Sequence, residues 1–197
     1  MVLKNYIVLD IETTGLSRFY HKIIEICAIK YRDHKEVERF EVLVDPECHI
    51  PNFIYHLTGI SDKMVKDKPL INDVIYDLYK FLENYIIIGH NISFDYNFIE
   101  YNLQKCHNLT LKNKKICTLK LARRVINNVD AYSLTTLCKH FKINNDNAHR
   151  ASSDVIATKE LFLIINDIVK ENNYLYLKDL FNIEKMKIGE FSYNSYN

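Results

Sequence analysis

Chain breakers are scarce in this 197-residue sequence, which has four glycines and three prolines. That scarcity excludes a collagen-like repeat and a long flexible Gly/Pro-rich linker. No internal repeat and no low-complexity segment interrupts it. The five cysteines, Cys27, Cys48, Cys106, Cys117 and Cys138, include no Cys-x-x-Cys pair, so neither a zinc ribbon nor a thioredoxin-type motif is present. Reduced, mostly buried thiols are expected, as in a cytosolic protein. Lys4 and Asp10 interrupt the start, so no signal peptide is expected there. No apolar run reaches the length of a membrane span, and a cytoplasmic protein without membrane contact is expected. A strong charge of one sign is also lacking, since the formal net charge is +1. A duplex-wrapping protein would be more basic, so any nucleic-acid contact should be local.

Hydrophobic content is 48% and charged content 26%, enough for one ordinary globular core. The apolar runs Tyr6–Leu9, Ile23–Tyr31 and Arg39–Val44 read as three strands of an antiparallel meander. Asp45-Pro46 ends it. His56–Ile60 reads as a loop, with Ser61 as the cap of a following helix. Asn72–Leu82 has helical spacing. Tyr85–Ile88 is apolar on both faces, as expected of a strand in the middle of a covered sheet. A helix through Leu103, a short strand at Ile116–Thr118, helices at Leu119–Arg124 and Ser133–Phe141, and a long helix from near His149 follow. The order predicts an α/β fold, with a mixed central sheet (antiparallel meander plus parallel strands) and helices on both faces. One domain is expected over residues 1–173. Residues 174–197 are a short C-terminal extension, read either as an added helix through Leu175, Leu177, Leu180 and Phe181 or as a loose or partner-binding tail.

The chemistry lies in acids at the edges of apolar elements. Asp10 and Glu12 leave the first strand on one face, because a strand points residues i and i+2 the same way. Two adjacent carboxylates repel and raise one another's pKa, and a hard divalent cation relieves that cost. The plain alternative is a solvated strand edge running into the Thr13-Thr14-Gly15 turn. Asp95 follows the central strand, and Asp154 lies in the first turns of the last long helix. Sites in open α/β sheets form at strand ends, so four acids from three segments could converge there. His149 precedes Asp154 closely enough to overhang such a cluster, and an imidazole nitrogen can take a proton from water. Its plain reading is a surface or packing histidine.

The motifs Leu-Asp-Ile-Glu-Thr-Thr-Gly-Leu at 9–16, His-Asn-Ile-Ser-Phe-Asp at 90–95 and His-Arg-Ala-Ser-Ser-Asp at 149–154 together resemble those of the DEDDh 3′–5′ exonucleases. Ile24-Glu25-Ile26, Leu57–Ile60, Cys117–Arg123 and Tyr132–Leu134 agree with its DnaQ-like branch, which includes the proofreading epsilon subunit of DNA polymerase III. The resemblance covers about residues 5 to 170 and shows no departure at the five core positions. It implies a ribonuclease H-like fold and two divalent cations, Mg²⁺ or Mn²⁺, held by Asp10, Glu12, Asp95 and Asp154. His149 is implied as general base. Glu12, Thr13, Thr14, Leu16, Asn91, Phe94 and His149 are implied to face the terminal nucleotide, although Leu16 and Phe94 read equally well as core.

The activity so implied is hydrolysis of single-stranded DNA from its 3′ end to nucleoside monophosphates, with a DNA polymerase or clamp as partner. Exoribonuclease or oligoribonuclease activity is the nearest alternative. A non-catalytic polymerase-associated subunit is the alternative of another class. The basic run Lys112, Lys114, Lys115, Lys120, Arg123 and Arg124 reads either as a steering patch for phosphates or as a solvated face. The oligomeric state is left open.

Overall fold

The computed structural model describes residues 3–191. Five strands, Tyr6–Thr13 (β1), Ile23–Arg32 (β2), Lys35–Leu43 (β3), Ile87–Gly89 (β4) and Lys115–Cys117 (β5), form one sheet in the order β3-β2-β1-β4-β5. β1 pairs antiparallel with β2 and parallel with β4, and β4 pairs parallel with β5. The sheet is therefore the mixed one expected, with β1 at its centre.

The remaining elements are the helices Asn52–Thr58 (α1), Asp62–Val65 (α2), Ile71–Leu82 (α3), Ser93–His107 (α4), Thr118–Val125 (α5), Leu134–Phe141 (α6), Ala151–Glu171 (α7) and Leu177–Ile183 (α8). Alternation along β1 splits them into two layers. Tyr6 and Val8 pack with α5 to α8, whereas Ile7, Leu9 and Ile11 pack with α3 and α4. A small satellite cluster of Ile24, Ile50, Ile54, Ile60 and Val65 lies under α1 and α2.

Gly89 lets β4 approach β1. A Cβ there would lie 2.6 Å from the Ile92 side chain, closer than real side chains come, and 3.0 Å from the Leu9 carbonyl, a tight contact.

Some elements differ from the sequence expectations. His56–Thr58 are not loop but the last turn of α1, which closes on Gly59 at φ +71. A left-handed glycine is a common helix stop. β3 begins at Lys35 rather than Arg39, because Asp33 and His34 both take positive φ and make a tight turn. Such turns match strand twist. Ser61 is the N-cap of α2 as expected, though its side chain makes no capping hydrogen bond, and β4 runs Ile87–Gly89 rather than Tyr85–Ile88.

The extension after residue 173 folds back in its described part. Leu180 and Ile183 of α8 are fully buried against α5 and α7, and Phe191 is buried with them. Residues 192–197 of the expected extension, and Met1 and Val2 of the expected domain, lie outside the described residues. No described helix is long and apolar enough to cross a membrane.

Candidate active site

Asp10 and Glu12 sit half-buried at the C-terminal end of β1, on the face covered by α7. Pairing of β1 with β4 stops at Val8 and Ile88. Beyond that point the N–H of Ile11 donates to Asp95 Oδ1 at 3.1 Å. Asp95, in the first turn of α4 and 3% exposed, is thereby tied to the residue between the two β1 acids. From the other layer, Asp154 enters in the first turn of α7 and is 8% exposed. Its Oδ1 accepts from Asn145 Nδ2 at 2.8 Å, and its Oδ2 accepts the backbone N–H of His149 at 3.1 Å. Among the described residues, Glu12, His149 and Asp154 each bring one ligand atom within 4.8 Å of one another.

Burial is the largest influence on each carboxyl. It holds Asp10 well above the usual carboxylate range, and the charges of Asp95, Glu12 and Asp154 add to the rise. Glu12 is pushed to about 9 by burial and then by Asp154, and Asp95 to about 7 despite the N–H groups that favour its ionised form. Asp154 is raised by burial against the opposing bonds from Asn145 and His149. Buried like charges cannot all ionise unaided. The donors are hard oxygens plus an imidazole, the set a divalent cation accepts. The residues fit such an ion.

A cleft of about 480 Å³ opens beside the acids, lined by Asp10, Asp154, His149, His90, Arg123 and Tyr132 among others. His90 is pinned at its edge. Its Nε2–H donates to the Tyr132 carbonyl at 2.9 Å, and Nδ1 lies 3.0 Å from the Thr118 hydroxyl. Burial lowers its pKa to about 4, so the ring is neutral near pH 7 and serves as a strut between β4, α5 and the loop before α6.

The exonuclease family model RNase_T matches residues 7–162. The chain belongs to this exonuclease family. DNA polymerase III PolC-type from Caldanaerobacter subterraneus subsp. tengcongensis is 39% identical over 166 residues, covering 84% of this chain. The chain spans 12% of the length of that relative. DNA polymerase III subunit epsilon from Aquifex aeolicus is 30% identical over 187 residues, covering 94% of this chain and 91% of that one. A solved structure of Exonuclease X in complex with 5′ overhanging duplex DNA superposes with a TM-score of 0.66 at 29% identity, covering 91% of this chain and 99% of that one. The mixed sheet and its two helical layers are the ribonuclease H-like fold.

In this exonuclease domain the residues expected to face a nucleotide divide by exposure. Leu16 is 86% exposed, so it is not core, and with Phe94 it lines a hollow that also includes Phe19 and Phe98. Thr13 and Thr14 are buried, and their hydroxyls are engaged within the turn, Thr13 donating to Gly15 O at 2.7 Å and Thr14 accepting from Lys22 N at 2.9 Å. They shape the turn. Asn91 is exposed, with φ +67. Members of the basic run have different surroundings. Lys115 lies over the Tyr96 ring and Arg124 bonds the Met186 and Lys120 carbonyls, while Arg123 alone of the run lines the cleft.

Proposed function

We propose that the chain is a metal-dependent 3′–5′ exonuclease that hydrolyses single-stranded DNA to nucleoside monophosphates, acting as a polymerase-associated proofreader. The observation that carries this reading is the meeting of Glu12, His149 and Asp154 within 4.8 Å, backed by Asp10 and Asp95. The match to an epsilon subunit over 91% of that protein's length supports the polymerase-associated reading.

Asp10, Glu12, Asp95 and Asp154 would hold two divalent cations, Mg²⁺ or Mn²⁺. Such ions, when bound, supply charge for the attacking and leaving oxygens of an in-line displacement. His149 accepts the proton of the attacking water. Leu16 and Phe94 offer apolar surface on which the terminal nucleotide rests, a contact that tolerates any base. Asn91 and the Thr13–Thr14 turn border it.

The test is digestion of 5′-labelled and 3′-blocked single strands of DNA and of RNA, side by side, with Mg²⁺, Mn²⁺ or a chelator. Stepwise shortening from a free 3′ end of DNA is expected, stopped by the chelator and by Asp10→Ala or Asp154→Ala. Cutting that survives the chelator or either substitution overturns the mechanism. Faster digestion of RNA would move the substrate to oligoribonucleotides.

A further inference from the structure

Glu25 has no part in the reaction above, yet it is an acid inside the apolar strand β2 and is 1% exposed. It stands opposite Glu12 in the β1–β2 ladder. A buried carboxylate is tolerated when its oxygens are engaged. Those of Glu25 accept Nη2 of Arg150 at 2.6 Å, Nε of Arg150 at 3.2 Å and the backbone N–H of Ala151 at 2.9 Å. Every one of these donors belongs to the start of α7.

Arg150 is the N-cap of α7, a position where Ser, Thr, Asp or Asn usually accepts the first free N–H groups. An arginine has no acceptor to offer. The N–H of Ala151 is satisfied instead by Glu25, 126 positions away in the chain. The residue before the cap is His149, at φ +66. A left-handed histidine is uncommon and must be held by its surroundings. Two anchors flank it: the bond from its own N–H to Asp154, and the fork of Arg150 on Glu25.

We infer that Glu25 is a positioning residue, acting through Arg150 and Ala151 to set how far His149 and Asp154 stand from Glu12. The inference rests on the nuclease reading for its kinetic consequence and on geometry alone for its structural one. The planar guanidinium makes the clamp directional, which a lysine ammonium cannot reproduce. The pair also adds no net charge beside four acids.

The experiment compares the parent chain with Glu25→Gln, Arg150→Lys and the double variant. Arg150→Lys keeps the charge at a half-exposed position and so preserves the fold. In hydrolysis of a labelled DNA strand with Mg²⁺, each single variant should lower kcat by about 10- to 100-fold, the scale of a small misplacement of catalytic groups, with KM unchanged. The double should be no slower than the slower single, because both remove one clamp. In the metal-free protein, amide exchange across residues 147–154 should rise about tenfold or more in each variant, while β1 and α4 stay protected. Unchanged exchange there overturns the inference whether or not the chain cuts DNA. An active parent whose variants lose less than about twofold, or whose losses multiply in the double variant, overturns it as well. A parent that fails to cut sinks the nuclease reading and leaves the exchange result to decide the clamp.

Discussion

Asp95 holds the N–H of Ile11 while its charge opposes that of Asp10, so one carboxyl both fastens the site and strains it. The two effects separate by substitution. Asp95→Asn keeps an oxygen for Ile11 and removes the charge. Asp95→Ala removes both and leaves a buried N–H unpaired. In urea unfolding of metal-free protein, the Asn variant should be more stable than the Ala variant by about 1–3 kcal/mol, the cost of an unsatisfied buried donor. Both should be inactive. Equal stability would show that the bond contributes nothing.

The raised carboxyls dictate how metal-free protein responds to pH. Unfolded, Glu12 and Asp95 ionise near their ordinary 4.5 and 3.8, but folded they keep their protons to about 9 and about 7. Between those limits the folded state binds more protons than the unfolded state, so unfolding free energy falls as pH rises. The contribution is fully present below about pH 4 and is lost progressively from there, through about pH 7 for Asp95 and about pH 9 for Glu12. Thermal melts with a chelator should show this decline, and Asp10→Asn should flatten it and raise the midpoint. Added Mg²⁺ or Mn²⁺ should restore most at the alkaline end, since cation and proton compete for the same oxygens. A metal-free midpoint that climbs from pH 5 to 8 would contradict the assigned burial of these acids.

In the proposed reaction His149 would accept the proton, whereas the four acids would supply most of the charge that balances bound cations. His149→Ala should therefore lower kcat by about 10²–10⁴-fold, the usual worth of a general base. Binding of Mn²⁺, followed by calorimetry, should weaken far less than in Asp154→Ala. A His149 variant with near-parent turnover would assign the base elsewhere.

The sequence showed β1 and α7 plainly because each carries a local pattern, an apolar run that ends in an acid or helical spacing behind one, whereas β4 starts two residues later than its apolar run and takes in Gly89. Glu25 was harder to read. Its partner Arg150 lies 125 positions away, so no window contains both, and the visible hint was a lone acid in the run Ile23–Tyr31. α1 escaped because Phe53 and Leu57 face outward, 71% and 38% exposed, which blurs the helical period. The early part of β3 escaped because an edge strand with exposed residues from Lys35 to Arg39 has no buried face to alternate against.

The same reasoning applies to the polar-aromatic stretch after residue 173, whose sequence fits both a tail and a helix. Leu180 and Ile183 are fully buried in the cluster shared with α5 and α7. The carboxylate of Glu184 accepts the N–H of Cys117 at the edge strand β5, which engages one backbone group of that edge. Removing a fully buried leucine side chain costs about 2–5 kcal/mol when the site cannot collapse. Leu180→Ala should lower the melting midpoint by about 2–4 °C for each kcal/mol lost, and a chain ending at residue 173 should lose more. Deleting the segment therefore cannot separate partner binding from folding. Substituting the exposed Leu175 and Tyr176, 48% and 65% accessible, should leave the melt unchanged and is the cleaner probe of a polymerase contact. A Leu180→Ala protein that melts with the parent would show that α8 contributes nothing to this core.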